Sequence, residues 1–332
     1  MAVSEFMDMA LAHPEHGYYR KKDPLGRGGD FITAPEISQM FGELTGLWAS
    51  VVWHSMGAPD PVLLVELGPG RGTLMADLLR SAAMDPAFRE AIRIHLVETS
   101  PTLRARQAEA LKTAEVEWHD YFAAVPSGPM IVIANEFFDA LPVHQFVHRA
   151  GQWHERVVTA AGDDLVFGDG APVAIVGPAT EDGAVFERNE AAAAIAGLIG
   201  ERLAVDKGAA LIIDYGHATS ALGDTLQAVK GHARTDVLAE PGEADLTAHV
   251  DFQALASAAR PAQAWGPITQ GVFLRALGIE LRTDRLMRAN PKQATAVETA
   301  CRRLIDSAEM GTLFKALALT HPSLATPPGF ER

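Results

Sequence analysis

The stretch Val62-Leu63-Leu64-Val65-Glu66-Leu67-Gly68-Pro69-Gly70-Arg71-Gly72-Thr73 decides how the fold is read. Val62 to Val65 is a short apolar run of strand length. The glycines follow at once, and Leu74, Leu78 and Leu79 then recur at helical spacing. A strand that runs into a glycine loop and then a helix brings the backbone close to a ligand. The helix start adds unpaired N–H groups and the positive end of its dipole.

The spacing narrows the ligand. Dinucleotide loops read G-x-G-x-x-G. Here the glycines are 68, 70 and 72, and Thr73 stands where the third fingerprint glycine belongs. No Gly-Lys-Ser/Thr follows, so the phosphate-cradling P-loop is excluded as well. Glu66 precedes the first glycine by two residues. That is the usual form in methyltransferases, where such an acid accepts from the amino group of the methionine part of S-adenosylmethionine.

Outward from the loop, strands and helices alternate. Ile92 to Val97 is a second strand ending at Glu98, and 101–111 is a helix. Val116-Glu117-Trp118 is a third strand, followed by His119-Asp120. Met130 to Ala134 is a fourth, apolar on both faces as in the middle of a parallel sheet. This alternation predicts an α/β, doubly wound sheet. Ligands of such sheets sit at the carboxyl ends of the strands. Glu98 is placed to take the ribose hydroxyls, and Asp120 to accept from the adenine amino group or to serve as a plain turn acid.

Before the sheet, Ile37, Phe41, Leu44, Trp48 and Val51 predict a helix over 36–53, preceded by a turn-rich stretch at 23–30. After the fourth strand, Gln145 to His148 and Trp153 to Thr159 read as a hairpin. Further turns are expected at Gly162-Asp163 and Gly168 to Gly170. A helix at about 187–205 and the strand Ala209 to Ile213 resume the pattern. Helices are expected near 251–260, 270–277 and 291–307. The last apolar run, Leu313 to Leu319, is expected to pair antiparallel at the sheet edge. The division is an N-terminal helical lid at 1–60, the first part of the cofactor domain at 61–142, a β-rich insertion at 143–205, and the remainder at 206–332.

Composition removes several classes. The 332 residues are 48% hydrophobic and 21% charged, with a formal charge of −14. No basic stripe is present, so nucleic acid is not an expected partner. The single cysteine, Cys301, excludes an internal disulfide framework and a Cys-rich metal site, and its helical setting makes it a packing residue. No His/Cys/acid spacing typical of zinc is found, and no metal is expected. Apolar runs are of strand length, so no membrane span is expected. No signal or transit peptide is visible, and a cytoplasmic protein is expected.

The fourth strand ends in Asn135-Glu136-Phe137-Phe138-Asp139-Ala140-Leu141-Pro142, at the edge where a methyl acceptor would lie. Polar groups this near a core need partners. One reading makes Asn135 a turn former and Glu136 and Asp139 helix-start acids. The other makes them catalytic. A guanidinium stays charged at any accessible pH, and its planar fork matches a carboxylate. In the stretch Gly29 to Gln39, a helix start explains Thr33, Pro35 and Glu36 but not Asp30 and Gln39, which are lid candidates for cofactor or acceptor. His217, after the strand Ala209 to Ile213, is either a proton acceptor or a hydrogen-bonded loop histidine.

Many of these segments together resemble the MidA-like methyltransferases. They are Gly17-Tyr18-Tyr19, Gly29 to Glu43, Glu66 to Thr73, Asn135 to Pro142, Ile213-Asp214-Tyr215-Gly216-His217, Gly223-Asp224-Thr225, Asp245 to Phe252 and Thr269-Gln270-Gly271. The resemblance implies a class I methyltransferase fold, Rossmann-like, with S-adenosyl-L-methionine as cofactor. It implies cofactor residues at Gly68, Gly70, Gly72 and Glu98, and the family's acidic stretch at Asn135, Glu136 and Asp139. In mitochondria, relatives serve respiratory complex I assembly and methylate an arginine of a core subunit. The implied partner is therefore a protein substrate, a complex I subunit, and a homodimer is the assembly considered. Two departures stand out: relatives usually carry a further N-terminal helical segment before Phe6-Met7, and 160–200 carries none of the motifs. The competing readings are a small-molecule methyltransferase and a cofactor-binding assembly factor with little catalysis. A nicotinamide dehydrogenase is disfavoured by Thr73.

Overall fold

A computed structural model describes residues 1–21 and 32–331 of the chain. The main sheet contains β1 (Val62–Leu67), β2 (Ile92–Val97), β3 (Val116–His119) and β4 (Met130–Asn135). Four antiparallel strands follow: β5 (His144–Arg149), β6 (Gln152–Ala161), β7 (Asp164–Val173) and β8 (Val185–Arg188). Next come β9 (Gly208–His217), β10 (Gln227–Lys230), β11 (Ala233–Thr235), β12 (Asp245–Thr247), β13 (Val250–Asp251), β14 (Gln263–Thr269) and β15 (Phe314–Thr320). The main sheet runs β14-β15-β9-β4-β1-β2-β3, with β13 beside β9. The pairs from β9 through β4 and β1 to β3 are parallel, and β15 is antiparallel to both β9 and β14. This is the class I methyltransferase arrangement expected from the sequence.

Alternation along each strand divides the core in two. Leu64, Ile94, Ile131, Ile133 and Leu211 pack into one cluster, and Leu63, Val65, Val132, Ala210 and Ile212 into the other. Successive strand side chains point to opposite faces, so a sheet covered on both faces must be apolar at every position. The first face is covered by α4 (Gln39–Ser55) and α5 (Thr73–Ala82), and by α10 (Gln270–Ala276), α11 (Ile279–Ala289) and α12 (Ala294–Ile305). On the second lie α8 (Glu190–Asp206) and α9 (Phe252–Ala258). Further helices are α6 (Pro86–Ala91), which adds Phe88 and Ala91 to the first cluster, α7 (Pro101–Ala110), and the short α13 (Met310–Leu313), whose Met310 packs against that cluster.

A third cluster lies apart from these. It joins α1 (Val3–Ala12) and α2 (Tyr18–Lys21) to the four-stranded sheet β7-β6-β5-β8 and the three-stranded sheet β11-β10-β12. Val3, Phe6, Met7 and Tyr18 meet Val158, Ala228 and Leu246 there.

Four expectations are corrected. The helix over 36–53 is two helices, α3 (Ala34–Ile37) and α4. Ser38 is extended between them, and its hydroxyl caps α4 by accepting from Met40 N at 3.2 Å. Gly168 to Gly170 lie inside β7, not in a turn. A Cβ at Gly170 would stand 2.8 Å from Glu155 O, so close strand approach at a bulge explains that glycine. β15 is antiparallel but lies one place in from the edge. The edge strand is β14, which carries Gly266-Pro267. Proline is tolerated at an edge, where no ladder hydrogen bond is lost. Finally, α11 had not been foreseen.

Candidate active site

β1 ends in the glycine loop. Gly68, Gly70 and Gly72 all have positive φ, at 61°, 53° and 82°. Side chains other than glycine are strained there, and a Cβ on Gly68 would also lie 2.9 Å from the Phe137 ring. Gly72 then serves as the N-cap of α5. The loop is tied down by Gly68 N to Val97 O (3.1 Å) and by Gly72 N to Pro69 O (2.8 Å).

Glu66 sits beneath this loop, 3% exposed, and its Oε2 has no hydrogen-bond partner. Burial pushes its carboxyl up to about 8. An unsatisfied buried carboxylate oxygen is costly and implies a donor that arrives from outside. The amino group of S-adenosylmethionine fits that requirement, and the glycines leave room for its backbone-hugging part.

Glu66, Gly68, Gly70, Thr73 and Glu98 line one cavity of about 600 Å³. Gly72 is not among the lining residues. Glu98 is held by Ser100 N at 2.7 Å and Gln107 Nε2 at 3.2 Å, and burial raises its carboxyl above the usual range.

Asn135, Glu136 and Asp139 line the same cavity. Glu136 is at φ 50°, a left-handed conformation uncommon for such a residue and characteristic of strained functional sites. Asn135 Oδ1 and Asp139 Oδ1 are buried and without a partner. Burial, and then the charge of Asp139, lift Glu136 to about 7. Burial lifts Asp139 to about 6, against a hydrogen bond from Tyr215. These acids are grouped by Asp214 of β9, which is fully buried. Its Oδ2 accepts from the backbone N–H of Phe137 (3.2 Å), Phe138 (3.0 Å) and Asp139 (3.3 Å). Such a set of donors fixes the path of the loop and so the direction of the two acids.

Helix α3 links the two halves of the site. Ala34 N donates to Glu136 Oε1 at 3.1 Å, and Glu36 accepts from the Thr73 hydroxyl. Glu36 lines the cavity, although a helix start had sufficed to explain it.

Other expected site residues lie elsewhere. Asp120 is exposed and ion-paired to Arg104 at 2.8 Å. Gln39 is exposed and donates to Glu43. His217 pairs with Asp251 at 3.8 Å. None of the three lines the cavity. Asp30 lies outside the described residues.

Tyr19, Tyr215, Asp245 and Thr247 line the cavity and were not singled out beforehand. The signal existed for all four, which fall in segments already quoted, but a lone tyrosine, threonine or acid carries no spacing that marks it.

Pairing of β2 with β3 brings His95, Glu117 and His119 together, their ligand atoms within 4.8 Å of one another among the described residues. His95 Nδ1 and His119 Nε2 are 3.0 Å apart, a direct N–H···N hydrogen bond. Burial lowers the pKa of both rings, so two neutral imidazoles account for the pair. None of the three lines the cavity.

A doubly wound sheet, a left-handed glycine loop with an unsatisfied acid beneath it, and a second acid cluster at the next strand define a nucleotide-cofactor group-transfer enzyme of the class I methyltransferase type. Comparison with known proteins gives the family. Residues 44–268 match the family described as "Putative S-adenosyl-L-methionine-dependent methyltransferase". The chain is 38% identical over 354 residues to the Drosophila melanogaster protein arginine methyltransferase NDUFAF7 homolog, mitochondrial, covering 96% of this chain and 80% of that protein. It is 36% identical over 355 residues to the Homo sapiens protein arginine methyltransferase NDUFAF7, mitochondrial, with the same shares covered. A Burkholderia thailandensis protein crystallised with S-adenosyl-homocysteine superposes with a TM-score of 0.88 at 30% identity, covering all of this chain and 90% of that one. The chain belongs to this family of S-adenosylmethionine-dependent methyltransferases. The names also correct one expectation: the sequence had suggested a cytoplasmic protein, whereas these relatives are named as mitochondrial.

Proposed function

We propose that this chain methylates an arginine side chain of a protein, and that the protein is a respiratory complex I subunit. The relatives named as protein arginine methyltransferases support the arginine, and the family resemblance supports the subunit. The observation that carries the reading is the pair of orphaned acceptors, Asn135 Oδ1 and Asp139 Oδ1, beside Glu136 in one cavity. A guanidinium brings five N–H donors and a positive charge to just such a set.

S-adenosylmethionine, when bound, supplies a methyl group already activated on a sulfonium. What remains for the protein is positioning and charge. Glu66 would hold the cofactor's amino group and Glu98 its ribose. Glu136 and Asp139 would grip two edges of the guanidinium and turn one nitrogen toward the methyl. The methylated nitrogen must then lose a proton, and Glu136, near pKa 7, is suited to accept it.

The experiment is incubation with labelled S-adenosylmethionine and solubilised complex I or its separate subunits, followed by peptide mass spectrometry. Label on an arginine of a subunit is the expected result. Label confined to small molecules would establish a small-molecule methyltransferase instead. Cofactor binding without any labelled product would leave an assembly factor.

A further inference from the structure

We propose that Glu36 is a positioning residue of the transfer reaction: held by the Thr73 hydroxyl beside the cofactor loop, it fixes α3 so that the Ala34 N–H holds Glu136 for the acceptor. This deepens the acceptor role given to Glu136 above and rests on it.

The Thr73 hydroxyl donates to Glu36 Oε1 at 2.5 Å. Thr73 opens α5 directly after the glycine loop, and both residues line the cavity. Glu36 is the third residue of α3, which has only four. So short a helix cannot hold itself, and contacts from outside must fix it. Ala34 and Pro35 are buried, and Ile37 packs against the first core cluster. Apolar packing keeps α3 on the core but is non-directional, so it does not set the turn of α3 about its own axis. A short hydrogen bond does set direction. The bond from Thr73 to Glu36 therefore decides where the backbone of α3 points.

Two residues before Glu36, Ala34 N donates to Glu136 Oε1 at 3.1 Å. The same oxygen accepts from Asn135 Nδ2 at 3.1 Å. Charged groups also face Glu136 from three directions: Asp139 of its own loop, Asp214 of β9 and Arg303 of α12. Burial and then Asp139 raise its carboxyl, while the Ala34 N–H, the Asn135 amide and Arg303 hold it down. Of these, only Ala34 lies on α3. Freeing α3 thus removes one donor from Glu136 and leaves the charges around it in place. The result has a definite sign: the carboxyl, already at about 7, should rise further.

The test uses the full chain with isotope-labelled glutamate, saturated with S-adenosyl-homocysteine. The Glu136 carboxyl resonance is assigned by its loss in Glu136→Gln and titrated across neutral pH. Glu36→Ala and Thr73→Val should each raise that titration by roughly half a unit to one unit, the scale of one hydrogen bond. The double variant should move no further than either single one, because both changes break the same bond. Thr73→Ser and Glu36→Gln keep the donor and the acceptor and should titrate close to wild type. A general loosening of the fold would not reproduce that pattern. An unchanged Glu136 titration in Glu36→Ala and Thr73→Val overturns the proposal, and so do additive shifts in the double variant. If Glu36→Ala does not fold, Thr73→Val alone decides. The resonance is read without any acceptor, so a failure to find labelled arginine would sink the arginine reading and leave this result standing.

Discussion

Glu136 combines a strained backbone, a carboxyl near pKa 7 and a contact from helix α3. Its protonation gives a pH dependence with a definite sign. In the free site Glu136 and Asp139 titrate near 7 and 6. A bound guanidinium stabilises their charged forms and lowers both values, so binding releases protons. Acceptor affinity should therefore rise from pH 6 to about pH 8 and level off above. A KM that is flat over that range would contradict the grip. Glu136→Gln should leave cofactor affinity within twofold while lowering kcat by roughly 10²-fold, the usual scale for a positioned proton acceptor. Glu66, at about 8, gives the cofactor the same trend: its affinity should grow between pH 6 and 8 in the wild type. In Glu66→Gln that slope should vanish, as calorimetry would show. These residues were legible because each stands in the last residues of an apolar strand or just past its end. Asp120, Gln39 and His217 had equally good positions in the sequence. What decided their fate was a nearby partner, Arg104, Glu43 or Asp251, and such neighbours come from other elements.

At the scale of elements, Asp214 is the clearest case of a residue acting through others. One carboxylate oxygen gathers three successive N–H groups of the acid loop. Asp214→Asn replaces that carboxyl acceptor with an amide. It should cost about 1–3 kcal/mol in urea unfolding, the price of a buried donor left poorly paired. Turnover should fall with it, because Glu136 and Asp139 lose their direction, and cofactor binding should suffer least. The parallel strands were readable from their length and composition alone. Less was readable where one residue type serves two purposes. Ser38 looks like any polar helix residue until its hydroxyl is seen capping α4. Gly266-Pro267 looks like a break and is part of an edge strand. Gly170 looks like a turn and is a close crossing. In each, tertiary contact overrides a sound local preference.

Across the whole molecule, charge and topology set the behaviour. The net charge of −14 favours solubility and also suits a cationic partner. With an acid-lined acceptor cavity, it also becomes a means of attracting a basic segment. The screening length falls from about 8 Å at 0.15 M salt to roughly 3 Å at 1 M. Association of an arginine-rich peptide should therefore slow markedly over that range in stopped-flow measurements, while dissociation changes little. An association rate independent of salt would confine the electrostatics to the cavity.

The place of β15 bears on how the chain is made. Among the described residues it is the last strand in chain order, yet it lies between β9 and β14 and joins them in the sheet. Until residue 320 has left the ribosome, β9 presents a long, apolar, unpaired margin, and β14 has nothing to join. Such margins recruit strands from other chains. A protein shortened to end at Leu313 would keep its glycine loop and the acids of its cavity. It would nevertheless be expected to accumulate as aggregates that need a chaperone to stay dispersed, as sedimentation of freshly translated chains would reveal. The final seven residues of sheet thus act as a seal, and quality control of this enzyme would turn on whether translation reaches them.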